Sequence, residues 1–166
     1  MIAHGRTESG NRHISCLPRL KRLLFLPQRP YVPIGSLRNA VTFPAKPGSY
    51  SDAEIADALN ACSLETRSGQ LDEEDHWDRR LSPGEQQRLA IARALLQKPD
   101  WLFLDEATSA VDPELEARLY RLIRERLPNT TLVSVAHRAT LNVFHDRRLR
   151  FVPGKEGVEL KSEPVG

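Results

Sequence analysis

The segment Leu81–Asp112 constrains the fold of this chain more than any other. It reads LSPGEQQRLAIARALLQKPDWLFLDEATSAVD. A helix-start signal is followed by a helix with an apolar face, then by a short apolar strand that ends on an Asp-Glu pair. This order of elements is typical of an α/β domain with a parallel central sheet.

The start of the helix is the first candidate site. Ser82 is a favoured N-cap residue, Pro83 suits the first helical position, and Glu85 completes a capping box. The helix is expected to run to about Gln97, and its free N–H groups and dipole would attract phosphate. Gly84 would let a ligand approach the backbone closely. A well-capped surface helix without a ligand is the simpler alternative.

The acidic pair after the strand is the second candidate site. Trp101–Leu104 is a short apolar run, which predicts a strand buried on both faces of a parallel sheet. Asp105 and Glu106 follow it directly, and ligands of open α/β sheets bind at the carboxyl ends of strands. One carboxylate can hold Mg²⁺, and the other can polarise a water that attacks phosphorus. An Asp-Glu helix cap is the structural alternative.

Two further polar residues follow predicted strands. Leu23–Leu26 is one such strand, and Gln28 comes after it in the segment PQRPYVP, whose prolines predict a loop. Thr131–Val135 is the other strand, and His137 stands just past its end. A lone His is more often structural than catalytic, and a Gln in a loop is more often only a polar surface residue.

These motifs together resemble the ATP-binding cassette (ABC) ATPases, of the exporter type found in the SbmA/YddA and peroxisomal fatty-acyl transporter group. The resemblance implies that Asp105 is the Walker B carboxylate that holds Mg²⁺ and that Glu106 is the catalytic base. It implies that His137, in the H-loop, contacts the γ-phosphate of ATP and positions the attacking water. Gln28, in the Q-loop, would reach the Mg²⁺ ion and the same water.

The resemblance also implies a partner. Cassettes of this family pair as homo- or heterodimers, in which the signature loop of one subunit faces the ATP bound by the other. Ser82, Gly84 and Glu85 would make that contact here, although Pro83 and Glu85 depart from the usual Leu-Ser-Gly-Gly-Gln. Ser109 and Asp112 match the D-loop, which touches the second cassette.

The fold implied is a partial P-loop NTPase, with a parallel central sheet, a helical subdomain at about 34–91 and a C-terminal β-hairpin. The hairpin is also predicted from Leu149–Val152 and Val158–Leu160, which flank a Pro-Gly turn. Residues 22–166 would form a truncated cassette. Residues 1–21 are expected to be an unrelated or disordered leader, because Gly5–Gly10 has the glycine spacing of a P-loop but lacks its Lys and Ser/Thr.

Composition narrows the possible partners. A net charge of +2 gives no strong attraction to nucleic acid. No apolar run approaches the roughly 20 residues of a membrane helix, so we expect the cytoplasmic face of the membrane to be reached through a permease, fused or separate. Cys16 and Cys62 lack metal-ligand spacing, and Arg88 and Arg93 are expected to be solvated charges.

The sequence therefore predicts an ATP-binding and ATP-hydrolysing subunit of an ABC transporter, with Mg²⁺ and ATP bound at a cassette dimer. Because the P-loop lysine is absent, weak ATP affinity is expected for the chain alone. A non-hydrolysing truncated chain that only associates with a full-length partner is the alternative. An ATPase of the chromosome-maintenance type ranks lower, because no sustained heptads separate Gln28 and Leu81.

Overall fold

The structure is a computed structural model that describes residues 22–154 and 157–165. The predicted leader 1–21, the near-match Gly5–Gly10 and Cys16 lie outside these residues. The strands and helices, in chain order, are β1 (Leu23–Leu26), β2 (Gly35–Ser36), α1 (Leu37–Thr42), α2 (Asp52–Ala61), β3 (Glu74–Asp75), α3 (Trp77–Arg80), α4 (Pro83–Gln97), β4 (Trp101–Asp105), α5 (Pro113–Arg126), β5 (Thr131–Val135), β6 (Arg147–Gly154) and β7 (Gly157–Pro164). Two 3₁₀ helices cover Glu65–Gln70 and Ala139–Phe144.

A three-stranded parallel sheet forms the centre of the α/β fold, in the order β1-β4-β5. Phe25, Phe103 and Val133 are neighbours in register across it. All three strands were predicted from short apolar runs, and the structure confirms the parallel sheet. The parallel direction brings their carboxyl ends to one edge.

Only one face of this sheet is covered by the described residues. Leu102 and Leu104 of β4 are buried in the main core. On the opposite face, Leu23 and Phe25 of β1 are 51% and 53% exposed, and Trp101 is half-buried. The expectation of a strand buried on both faces is therefore wrong for this structure, because the helices of residues 22–154 pack against a single face.

Helix α4 begins as predicted. Ser82 is the N-cap, Pro83 is in the first turn, and Ser82 and Glu85 form the reciprocal hydrogen bonds of a capping box. The helix is more deeply buried than the sequence suggested, since its whole stretch from Leu89 to Leu95 is buried. The helices between β1 and β4 lie where a subdomain of about 34–91 is predicted, and those boundaries stay a prediction.

Of the two arginines of α4, Arg93 is buried and Arg88 is partly buried, which corrects the expectation that both are solvated charges. Arg93 is 5% exposed, and its guanidinium donates to the carbonyl oxygens of Ala40 and Tyr31, each at 2.7 Å. Burial lowers the pKa of Arg93 to about 10. Arg88 donates to the carbonyl oxygens of Gly84 and Ser63. Both side chains are used to satisfy backbone carbonyls near α4, because buried carbonyl groups need donors.

Helix α5 begins at the N-cap Asp112 and buries Leu119 and Ile123. The polar stretch 66–80 contains most of a 3₁₀ helix and the short helix α3. Trp77 anchors this stretch, because its ring is fully buried and its Nε1 donates to the carbonyl of Glu73 at 3.2 Å.

Strands β6 and β7 form the predicted C-terminal hairpin, in which Phe151 pairs with Leu160. It is longer than the sequence suggested, and these two side chains are exposed. Among the described residues, no helix combines the length and the apolar character that crossing a membrane requires.

Candidate functional site

Three polar residues, each in the loop after one of the three parallel strands, lie at the same edge of the sheet. Gln28 follows β1, Glu106 follows β4 directly, and His137 follows β5. Nε2 of Gln28 donates to Oε2 of Glu106 at 2.9 Å, and Nε2 of His137 lies 2.5 Å from Oε1 of Glu106. The structure therefore brings these predicted site residues together, with both Glu106 carboxylate oxygens engaged by neighbours on different loops.

The backbone of Glu106 has an unusual conformation. Its φ of 49° lies in the left-handed region, which non-glycine residues seldom adopt and which often accompanies functional sites. The N–H of Glu106 donates to the carbonyl of Val135 at 2.9 Å, and its carbonyl accepts from the N–H of Ser109 at 3.0 Å. These bonds hold the turn after β4 and aim the carboxylate at Gln28 and His137.

Asp105 is the last residue of β4 and is half-buried. No group of three or more His, Cys, Asp or Glu side chains suited to a metal occurs in the described ranges. Mg²⁺ commonly binds through one or two carboxylates and completes its shell with water and substrate phosphates. A single carboxylate such as Asp105 therefore fits a phosphate-bound Mg²⁺ better than an ion held by protein alone.

The charge of Glu85 at the start of α4 is paired. Its Oε1 accepts from the Arg67 guanidinium at 2.8 Å, and its Oε2 accepts from the N–H and hydroxyl of Ser82 at 2.9 and 2.8 Å. Burial raises the pKa of Glu85, but the hydrogen bonds from Ser82 and Arg67 outweigh it and hold that pKa below its ordinary value. The carboxylate is thus neutralised by Arg67 rather than left to repel a nearby anion.

Gly84 has a packing role, while its predicted approach to a ligand stays a prediction. A Cβ atom there would lie 3.1 Å from the carbonyl oxygen of Ala110, which is tighter than side chains normally tolerate. The start of α4 and the segment Ser109–Asp112 therefore approach each other closely. An open cavity of about 430 Å³ lies between them and is lined by Ser82, Pro83, Gly84, Arg88, Ala110, Val111, Asp112 and Leu115.

The two predicted D-loop residues lie in different surroundings. Oγ of Ser109 is 3.4 Å from Nε2 of Gln28 and so belongs to the cluster around Glu106. Oδ1 of Asp112 accepts from the N–H of Leu115 at 2.9 Å, which is the capping bond of α5. The contact of both residues with a second cassette stays a prediction.

Gln87 is a site residue that the sequence reasoning missed. It is 2% exposed, and its Nε2 donates to the carbonyl of Gln28 at 2.9 Å. Its Oε1 accepts from the N–H of Ala110 at 2.9 Å, and its Nε2 is 3.3 Å from Oγ of Ser109. One amide therefore joins α4, the loop after β1 and the segment after Glu106.

The sequence did carry a signal for Gln87. It shares a helix face with Ala90, Ile91 and Ala94, at the spacing of buried helical positions. A Gln among apolar neighbours on that face needs hydrogen-bond partners from another segment, because buried amides are rarely left unpaired.

Comparisons with known proteins identify the family of this chain. The family model for the ABC transporter matches residues 7–109. An uncharacterized ABC transporter ATP-binding protein of Haemophilus influenzae is 46% identical over 126 residues, which are 76% of this chain and 21% of the relative. The lysosomal cobalamin transporter ABCD4 of Mus musculus is 41% identical over 142 residues, 80% of this chain and 23% of the relative.

The inner membrane ABC transporter ATP-binding protein YddA of Escherichia coli is 34% identical over 113 residues, 68% of this chain and 20% of the relative. Among solved structures, a bacterial Atm1-family ABC exporter with ATP bound has a TM-score of 0.67 and 28% identity, covering 77% of this chain and 23% of that one. The chain spans about a fifth of the length of the curated relatives it matches. It belongs to the ABC transporter family, within the ATP-binding domain of the exporter type.

Proposed function

We propose that this chain supplies the hydrolytic edge and the signature loop of an ATP-hydrolysing cassette whose dimer drives transport across a membrane. The convergence of Gln28 and His137 on the Glu106 carboxylate carries the proposal. A carboxylate with two hydrogen-bonding neighbours at the carboxyl end of a parallel sheet is well suited to polarise a water molecule beside a phosphate.

The residues at this edge of the sheet would have different roles in ATP hydrolysis. Glu106 accepts a proton from the attacking water, while the Gln28 amide and the His137 ring fix the direction of its carboxylate. Asp105 would hold Mg²⁺, which when bound with ATP neutralises charge that develops on the phosphates. Since the Gln28 Nε2 is directed to Glu106, the amide oxygen of Gln28 remains the atom able to face water or the metal.

The signature loop would serve the ATP held by a second cassette, in a homo- or heterodimer. Ser82 and Gly84 line the open cavity at the start of α4, where the helix dipole favours an anion. Arg67 cancels the charge of Glu85 and so removes an electrostatic obstacle to phosphate. Asp112, on the other side of the same cavity, and Ser109, beside the Gln28 amide, would touch the partner cassette.

Coupling to transport would use the segment after Gln28. Tyr31, Ile34 and Phe43 expose apolar surface there, and the rings of Tyr31 and Phe43 are 5.3 Å apart in an edge-to-face contact. Exposed apolar side chains of this kind mark an interaction surface. They would receive a permease, fused or separate, at the cytoplasmic face of a membrane.

The test uses Glu106→Gln in a hybrid protein in which an ABC-family P-loop segment precedes residue 22. The substitution keeps size and hydrogen bonding but removes the proton acceptor, so phosphate release should fall by about a hundredfold or more while ATP binding persists. Bound ATP should then hold two cassettes together, which light scattering would detect.

Glu114→Gln, an exposed acid on α5, is the matched control and should hydrolyse ATP at the parent rate. Asp105→Asn should differ from Glu106→Gln by weakening Mg²⁺-dependent ATP binding itself. A folded hybrid that binds ATP but releases no phosphate above background would contradict the proposed function. Near-parental turnover by Glu106→Gln would remove its role as the base.

A further inference from the structure

A buried carboxylate connects the two loops that carry Glu106 and His137. Glu116, in the first turn of α5, is 3% exposed. Its Oε1 accepts from the hydroxyl of Thr108 at 2.6 Å, and its Oε2 accepts from Nη1 of Arg138 at 2.9 Å. A buried carboxylate is costly unless it is paired and hydrogen-bonded, and both oxygens of Glu116 have a partner.

The partners of this carboxylate are neighbours of the proposed hydrolytic residues. Thr108 is two positions after Glu106 and is itself buried, and Arg138 follows His137 directly. Nη1 of Arg138 also lies 3.4 Å from the carbonyl oxygen of Val111. The loop after β4 and the loop after β5 are thus joined through Glu116.

Few contacts within the described residues fix the direction of the His137 side chain. Its side chain is 86% exposed, and its one ion pair within the described part of the chain is the contact with Glu106. An exposed side chain retains rotamer freedom, so its direction depends on how firmly its backbone is fixed. Arg138, the next residue, supplies that fixation through a partner that is almost completely buried.

We propose that Glu116 and Arg138 are positioning residues, which hold the His137 ring against the Glu106 carboxylate during ATP hydrolysis. Thr108 ties the Glu106 side of the pair to the same carboxylate. The role in hydrolysis rests on the proposed function, but the coupling of the two loops can be measured without turnover.

The first test is by NMR on the purified protein. Glu106→Gln should shift the Cε1–H resonance of the His137 ring, which is assigned by its loss in His137→Ala. In a Glu116→Gln background this response should fall to less than about half, because the two loops no longer share an anchor. Glu114 is an exposed acid in the same helix turn, so its replacement is the control. In a Glu114→Gln background the full shift of the His137 resonance should remain.

Turnover in the P-loop hybrid gives the second test. Glu116→Gln should lower kcat about tenfold and leave KM unchanged, because a misdirected ring affects the reacting geometry rather than ATP binding. In a His137→Ala background the same substitution should lower kcat less than about twofold. A purely structural role would lower the melting temperature in both backgrounds without this dependence on His137.

Arg138→Gln repeats both tests from the more exposed side of the pair, since the Arg138 side chain is 39% exposed and its replacement removes no buried side chain. If Glu116→Gln does not fold, the results with Arg138→Gln test the positioning role. An unchanged ring response, or a kcat equal to that of Glu114→Gln, would overturn the positioning role. Near-parental turnover by Glu106→Gln would instead refute the proposed role of Glu106 as the base, while the ring response would still decide whether the loops are coupled.

Discussion

The amide of Gln87 is expected to contribute more to stability than any exposed hydrogen bond of α4. Gln87→Leu keeps the side-chain size but leaves the carbonyl of Gln28 and the N–H of Ala110 without this partner. Both hydrogen bonds are only partly buried, so water can reach some of the groups that lose their partner. Losing one hydrogen bond costs about 0.5–1.5 kcal/mol net, so the free energy of unfolding should fall by about 1–3 kcal/mol for the two bonds together.

Urea unfolding followed by circular dichroism measures this change. Gln97→Leu is the matched control on the same helix, because the Gln97 amide makes a single exposed hydrogen bond to the carbonyl of Phe43. That variant should lose no more than about 1 kcal/mol. Equal losses for Gln87→Leu and Gln97→Leu would refute the view that Gln87 is a buried connection between three segments.

Two further predictions concern titratable groups. The folded-state pKa of Glu85 is depressed, so its stabilisation is present above its unfolded pKa and is lost as pH falls through the folded pKa. Urea unfolding should show stability falling between about pH 5 and pH 3 more steeply in the parent than in Glu85→Gln, and parallel curves would contradict this pairing. Burial raises the pKa of Cys62 to about 12, so iodoacetamide at about pH 8 should label it only after unfolding. Peptide mapping would detect this, and equal labelling of folded and unfolded protein would show that Cys62 is accessible.

The position of the proposed hydrolytic edge was predictable because it depends on local order along the chain. Gln28, Glu106 and His137 each follow a short apolar strand, and parallel strands present their carboxyl ends at one edge. Their mutual contacts were not predictable, since these depend on the strand order β1-β4-β5 and on the left-handed backbone at Glu106.

The long-range hydrogen bonds near this edge of the sheet were missed for a related reason. Gln87 bonds to Gln28, 59 positions away, and Arg138 bonds to Glu116, 22 positions away. A sequence pattern shows that such side chains lie on a buried helix face or beside a motif. It does not identify the distant atom that satisfies them.

By itself, the sequence determined the elements whose stabilising contacts are local. The cap of α4 consists of hydrogen bonds across three residues, and the β6–β7 hairpin follows from a short turn between apolar runs. Tertiary structure alone decided that Arg93 and Trp77 are buried, that the helices of residues 22–154 cover one face of the sheet, and that Glu116 joins two loops. Burial and long-range hydrogen bonds depend on which segments meet in space, and a local pattern of residues does not contain that information.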